Sequence, residues 1–218
     1  MSSNVILSTR PGPSAGETAI LDAAIRLFSK EGFDRVSMRL IAEEAGVSKA
    51  NIYHHFESKE ALYIAILHAS ADRLSGLIEN LAEGRGAFDE RLRVFARAHL
   101  ENLFDNATSV RLILRESFSG DEEKSRVMVE QFVGGIIRRL IDIFRRGQQV
   151  GLLRRELDPG LCAMLLLGSD LMYFQFYAMM KYLPEADFAL DHAEFSREMM
   201  DVMLNGMLAD AAEGEGAL

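Results

Sequence analysis

The chain has 218 residues, 49% of them hydrophobic and 26% charged, with a formal net charge of −9. That balance suits a soluble globular protein, and the acid excess excludes nucleic-acid binding by bulk positive charge, so any grip on phosphates must come from where particular cations stand. The single cysteine, Cys162, excludes an intrachain disulfide and fits a reducing, cytoplasmic setting.

Met1 to Gly16 is polar, holds Pro11 and Pro13 and lacks an apolar run of signal-peptide length, so residues 1–16 read as a flexible arm. From there the chain shows helical spacing almost throughout, without sustained alternation, which predicts an all-α fold of about nine helices. Ser14 and Glu17 form a capping box for a helix over Ala15–Glu31, with Ile20, Ala23, Ala24, Leu27 and Phe28 as its apolar stripe. Ser37 caps a helix over Met38–Ala45, and Ser48 caps one over Lys49–Phe56. A fourth helix starts after Ser58 and runs into the low eighties.

Helices follow over Phe88–Phe104, Val110–Phe118 and Glu123–Val150, with Asp105 to Thr108 and Gly120-Asp121 as the breaks. Pro159 opens an eighth helix that reaches Tyr182, and the ninth spans Asp191–Ala209; residues 211–218 read as a flexible tail. Leu161 to Met180 is long and apolar enough to cross a bilayer, but Asp170 stands near its middle, so we read it as a helix buried between helices or between subunits, with Leu166 on the interface face. No membrane role is expected. Cys162, in the same helix, reads as a small hydrophobe.

The strongest functional signal lies between Ser37 and Lys59. Ala42 is small enough for a steep helix crossing, Gly46 tolerates the positive φ of a tight turn, and Val47, Ile52 and Phe56 seal the interior. This is the chemistry of a helix-turn-helix. At roughly 100° per residue, Ile52 and Phe56 point inward and Ala50, Asn51, Tyr53 and His54 outward, flanked by Lys49 and His55. Such a surface of hydrogen-bonding tips with little acid suits a major groove. Arg39 and Lys59 stand in the first turns after Ser37 and Ser58, where free amides favour anions, so both are expected at phosphates.

The run from Ser37 to Tyr63, with Ile20–Phe28 and Glu31-Gly32-Phe33, closely resembles the tetracycline-repressor (TetR) family over roughly residues 17–66. The later chain is similar only in layout. The resemblance implies that the third helix enters the major groove, that Ser37, Ser48, Lys49, Asn51, Tyr53, His55 and Lys59 contact DNA, and that Ala50 and His54 help choose bases. It further implies a body over 67–210 that dimerises through its last two long helices and holds a small effector. The expected function is a homodimeric repressor, not an enzyme, released from double-stranded operator DNA by a mostly apolar ligand. The alternative is a helical enzyme or binding protein with a helix-turn-helix-like corner.

For the ligand, Asp170, Tyr173, Phe174 and Tyr177 share one helical face, a carboxylate among aromatics that suits a cationic molecule among others; His99 and Phe118 are further candidates. No catalytic or metal-binding constellation is present in the sequence, and no cofactor is expected.

Overall fold

A computed structural model describes residues 14–117, 122, 126, 129–185 and 191–207. The expected arm, tail, Phe118 and the start of the long helix at Glu123 lie wholly or largely outside these residues. Among the described residues the chain forms nine α-helices and no β-strand. It divides into two compact units, Met1–Ile66 and Leu67–Leu218.

In the first unit, α1 (Ala15–Glu31) starts where the Ser14 hydroxyl accepts the Glu17 N–H. Helix α2 (Met38–Glu44) is capped by Ser37 and α3 (Lys49–His55) by Ser48. Each cap satisfies an amide that the helix cannot. Between α2 and α3 the Val47 N–H donates to the Ala42 carbonyl oxygen, and Gly46 takes φ +67°. A side chain there would be strained, so Gly46 is what lets the chain reverse so tightly. The core of this unit is Ile20, Phe28, Ile41 and Ile52, all fully buried, closed by Ala42 and Phe56. Burying each such large side chain contributes about 1.5–3 kcal/mol. Val47 is only half-buried.

Helix α4 (Lys59–Glu83) begins in the first unit and continues into the second. There follow α5 (Phe88–Asp105) and α6 (Ala107–Ser117). The break between them is one residue rather than the expected four. Asn106 alone turns the chain, its amide donating to the Asn102 carbonyl oxygen while its own carbonyl accepts the Val110 N–H. From Val129 the expected long helix runs through a π-helical turn, Val129–Val133, and continues as α7 (Gly134–Gln149). A Cβ on Gly134 would lie 2.6 Å from the Val129 carbonyl oxygen, so glycine permits the wider turn.

Helix α8 (Pro159–Met180) is capped by Asp158 and stops two residues before the expected end. Tyr182 and Leu183 donate instead to Met179 and Met180 in tight turns, because Pro184 disfavours a helical residue before it. Asp191 caps α9 (His192–Met207). Helix α5 packs against both α8 and α9, and α7 against α8. Their shared core holds Leu92, Leu140, Phe144, Leu166 and Met200, and a second cluster gathers Leu100, Leu103, Tyr173 and Phe174.

Leu166 corrects the expected interface face. It is 0% exposed within its own unit, whereas Met164, Met172 and Met179 on the same helix are 61%, 61% and 66% exposed. Cys162 is buried as expected, and burial first, then the Asp158 charge, pushes its thiol up.

Candidate nucleic-acid interface and effector cavity

The first unit presents α3 as a surface. Ile52 and Phe56 are buried, which turns Ala50, Asn51, Tyr53 and His54 outward; Tyr53 is 46% exposed despite its aromatic ring. Lys49 is exposed beside them, while His55 is half-buried, its ring edge-on to His54 with centroids 5.3 Å apart. The hydroxyls of Ser37 and Ser48 accept the N–H groups of Leu40 and Asn51 at 3.2 and 3.1 Å, leaving each O–H to donate outward.

The two other expected cations differ in what they touch. Arg39 is exposed and sits 3.5 Å from Glu43, one turn on, a weak surface pair that a phosphate can displace. Lys59 is half-buried, and its ammonium donates to the Phe33 carbonyl oxygen at 2.8 Å and lies over the Phe33 ring at 4.2 Å from its centroid. Its side chain ties the start of α4 to the turn after α1. The Ser58 hydroxyl caps that same start by accepting the Ala61 N–H.

The second unit contains a cavity of about 240 Å³. Leu74, Leu103, Leu114, Phe132 and Leu171 are among its apolar walls, and Ser70, His99 and Asn102 are its polar members. Of the sequence-predicted ligand residues that are described, His99 alone lines it. His99 Nδ1 lies 2.8 Å from Asp170 Oδ2, and both side chains are almost wholly enclosed. The imidazole is stacked parallel to Phe95, with ring centroids 5.8 Å apart. Asp170 stands behind His99, off the cavity wall. Burial pushes its carboxyl up from the ordinary value, against the hydrogen bond and charge of His99.

Tyr173, Phe174 and Tyr177 share a face with Asp170 but pack elsewhere, around Phe104. The Tyr173 hydroxyl pairs with His192 Nδ1 at 2.8 Å, and burial first, then Tyr177 and Asp191, pushes its phenol up to about 12. Sequence reasoning missed Ser70 and Asn102. For Asn102 a signal existed, since it follows His99 by three residues on one helix face.

These features define a helix-turn-helix protein with a cavity-bearing helical unit. Comparison with known proteins names the class: the model for bacterial regulatory proteins of the tetR family matches residues 20–66, and that for tetracyclin repressor-like C-terminal domains matches residues 85–170. The chain belongs to the TetR family. It is 34% identical over 129 residues to the HTH-type transcriptional regulator RutR of Escherichia coli, an alignment that covers 59% of this chain and 58% of RutR. Among solved structures it resembles the TetR-family regulator PfmR of Thermus thermophilus, with 27% identity, TM-score 0.66 and coverage of 86% of this chain and 97% of PfmR. The fold also matches the fatty acid degradation regulator FadR of Bacillus halodurans, with TM-score 0.73 at 19% identity, covering 90% and 98% of the two chains.

Proposed function

We propose that this chain is a homodimeric transcriptional repressor that binds operator DNA through α3 and releases it when a small, mostly apolar effector enters the cavity. The observation that carries the reading is the outward face of α3. A tyrosine, an asparagine and a histidine stand exposed on a helix whose opposite side is sealed by Ile52 and Phe56. Tyr53, Ser37 and Ser48 hold backbone phosphates, Arg39 and Lys49 add charge there, and Asn51 and His55 complete the contact set. Ala50 and His54 read base edges.

Dimerisation uses the apolar side of α8 that its own unit leaves uncovered, with Met164, Leu165, Met172 and Met179, joined by Val202 on α9. A stripe of this length on a soluble protein marks a partner surface, and pairing with its own copy about a two-fold axis gives two heads for one duplex. The effector acts only through a difference in affinity between DNA-competent and DNA-incompetent states. Helix α4 is the covalent route for that coupling, since Leu67 and Leu74 of this helix line the cavity and Leu62 of the same helix is buried in the first unit.

Genomic fragments captured by the purified protein, sequenced and re-tested by mobility shift at modest salt, provide the test. Specific retardation of a captured fragment over random duplex is the expected result; equal binding to both, or none, overturns the reading.

A further inference from the structure

We infer that the cavity takes an uncharged, mostly apolar molecule bearing one hydrogen-bond-accepting oxygen, of the ketone, aldehyde or ester class, and that His99 Nε2 donates the recognising hydrogen bond while Asp170 holds it in donor form. This rests on the reading of the cavity as an effector site.

His99 and Asp170 form an enclosed pair. Asp170 is 0% exposed, and its Oδ1 has no hydrogen-bond partner while Oδ2 meets His99 Nδ1. With a single proton on the imidazole, the pair would bury a net negative charge with one carboxylate oxygen unsatisfied, an expensive arrangement. With two protons the pair is net neutral, whether written as carboxylate and imidazolium or as carboxylic acid and imidazole. In both of those forms Nε2 carries a hydrogen. The burial that raises the Asp170 carboxyl favours the same state. Because Nδ1 is turned to Asp170 and His99 lines the cavity, the N–H on the other side of the ring is the group available to a ligand.

A second donor supports the assignment. Asn102 follows His99 by one turn on the same wall, and its Oδ1 already accepts from Asn106 Nδ2 at 2.9 Å. Its NH₂ group therefore remains to donate, and an oxygen with two lone pairs accepts from both residues. Ionic ligands are disfavoured because the described lining holds no Lys, Arg, Asp or Glu, so an ion would lose its hydration without a counter-charge. The Asp170 charge that suggested a cationic ligand is matched by His99. The volume of about 240 Å³ exceeds the ~150 Å³ of an apolar cavity that admits benzene, which suits roughly ten to fifteen non-hydrogen atoms.

Calorimetric titration of the full-length protein without DNA, using propiophenone, propylbenzene and 3-phenylpropylamine, tests the inference. The expected order is the ketone about tenfold or more tighter than the hydrocarbon, the worth of the two hydrogen bonds from His99 and Asn102, with the amine unbound. His99→Phe should cut the advantage of the ketone to what the Asn102 donor alone supplies, while propylbenzene still binds. Nitrogen NMR of the imidazole-labelled wild type adds a measurement that needs no variant and should find His99 Nε2 protonated at neutral pH. Equal affinity of ketone and hydrocarbon, binding of neither, or an unprotonated Nε2 overturns the inference. Retained operator binding by the same preparation in a mobility shift separates that failure from failure of the regulator reading.

Discussion

Lys59 and Phe33 are joined twice, by a hydrogen bond from the ammonium to the carbonyl oxygen at 2.8 Å and by the same ammonium over the aromatic ring. The contact bridges 26 positions of sequence and closes the first unit at the turn after α1. A lysine in the first turn of a helix opposes the helix dipole, and its carbonyl partner offsets that cost without any phosphate. Lys59→Met should therefore destabilise the protein by about 1–2 kcal/mol, the range for a charged hydrogen bond that is partly screened. Chemical denaturation checks it. A variant with unchanged stability but weakened DNA binding would return Lys59 to a purely phosphate-binding role.

The α3 surface separates two kinds of defect. Tyr53→Ala should weaken binding to every duplex, roughly tenfold for the loss of one phosphate hydrogen bond, with little change in melting temperature because the side chain is 46% exposed. Substitution of Ala50 or His54 should instead move base preference, each good base contact being worth ~1–3 kcal/mol. Selections on randomised duplexes distinguish the two, and a Tyr53→Ala protein with wild-type affinity would remove Tyr53 from the interface.

Two residues on α8, six positions apart, should fail in opposite ways. Met172→Glu places a charge on the uncovered apolar side and should yield folded monomers with poor operator affinity. Leu166→Ala removes a fully buried side chain and should cost ~2–5 kcal/mol in stability while leaving the self-association surface in place. Sedimentation alongside thermal melts resolves both. A Met172→Glu protein that still sediments as a dimer would contradict the assignment of this face.

The buried carboxyl predicts a pH signature. In the folded protein the Asp170 carboxyl is raised above the ordinary carboxylate value, mainly by burial. A raised value means the folded protein holds the proton more tightly, so this contribution to stability is fully present below the unfolded value and is lost as pH rises through the folded one. Relative to Asp170→Asn, which cannot titrate, the wild type should lose stability as pH climbs above the ordinary carboxylate range. Paired denaturation series measure the difference, and a flat one would mean that the carboxyl is not perturbed.

Local chemistry makes much of the fold legible in the sequence alone. Ser14, Ser37, Ser48 and Asp158 each cap a helix through an amide three residues on, so a short window of sequence holds both partners. The buried side of α3 was equally readable, since Ile52 and Phe56 alternate with polar neighbours at helical spacing. Position within the tertiary structure decided the rest. Helix α8 is apolar on nearly every side, so no periodicity in it distinguishes Leu166, packed inside its unit, from Met164 and Met172, left outside. Asp170, Tyr173, Phe174 and Tyr177 do share a face, but what each meets depends on α5 and α9. Asp170 found His99, 71 positions away, and Tyr173 found His192. Pairing across such separations is set by how whole helices pack, and a helix's own sequence carries the spacing of its side chains but not the identity of the neighbours they reach.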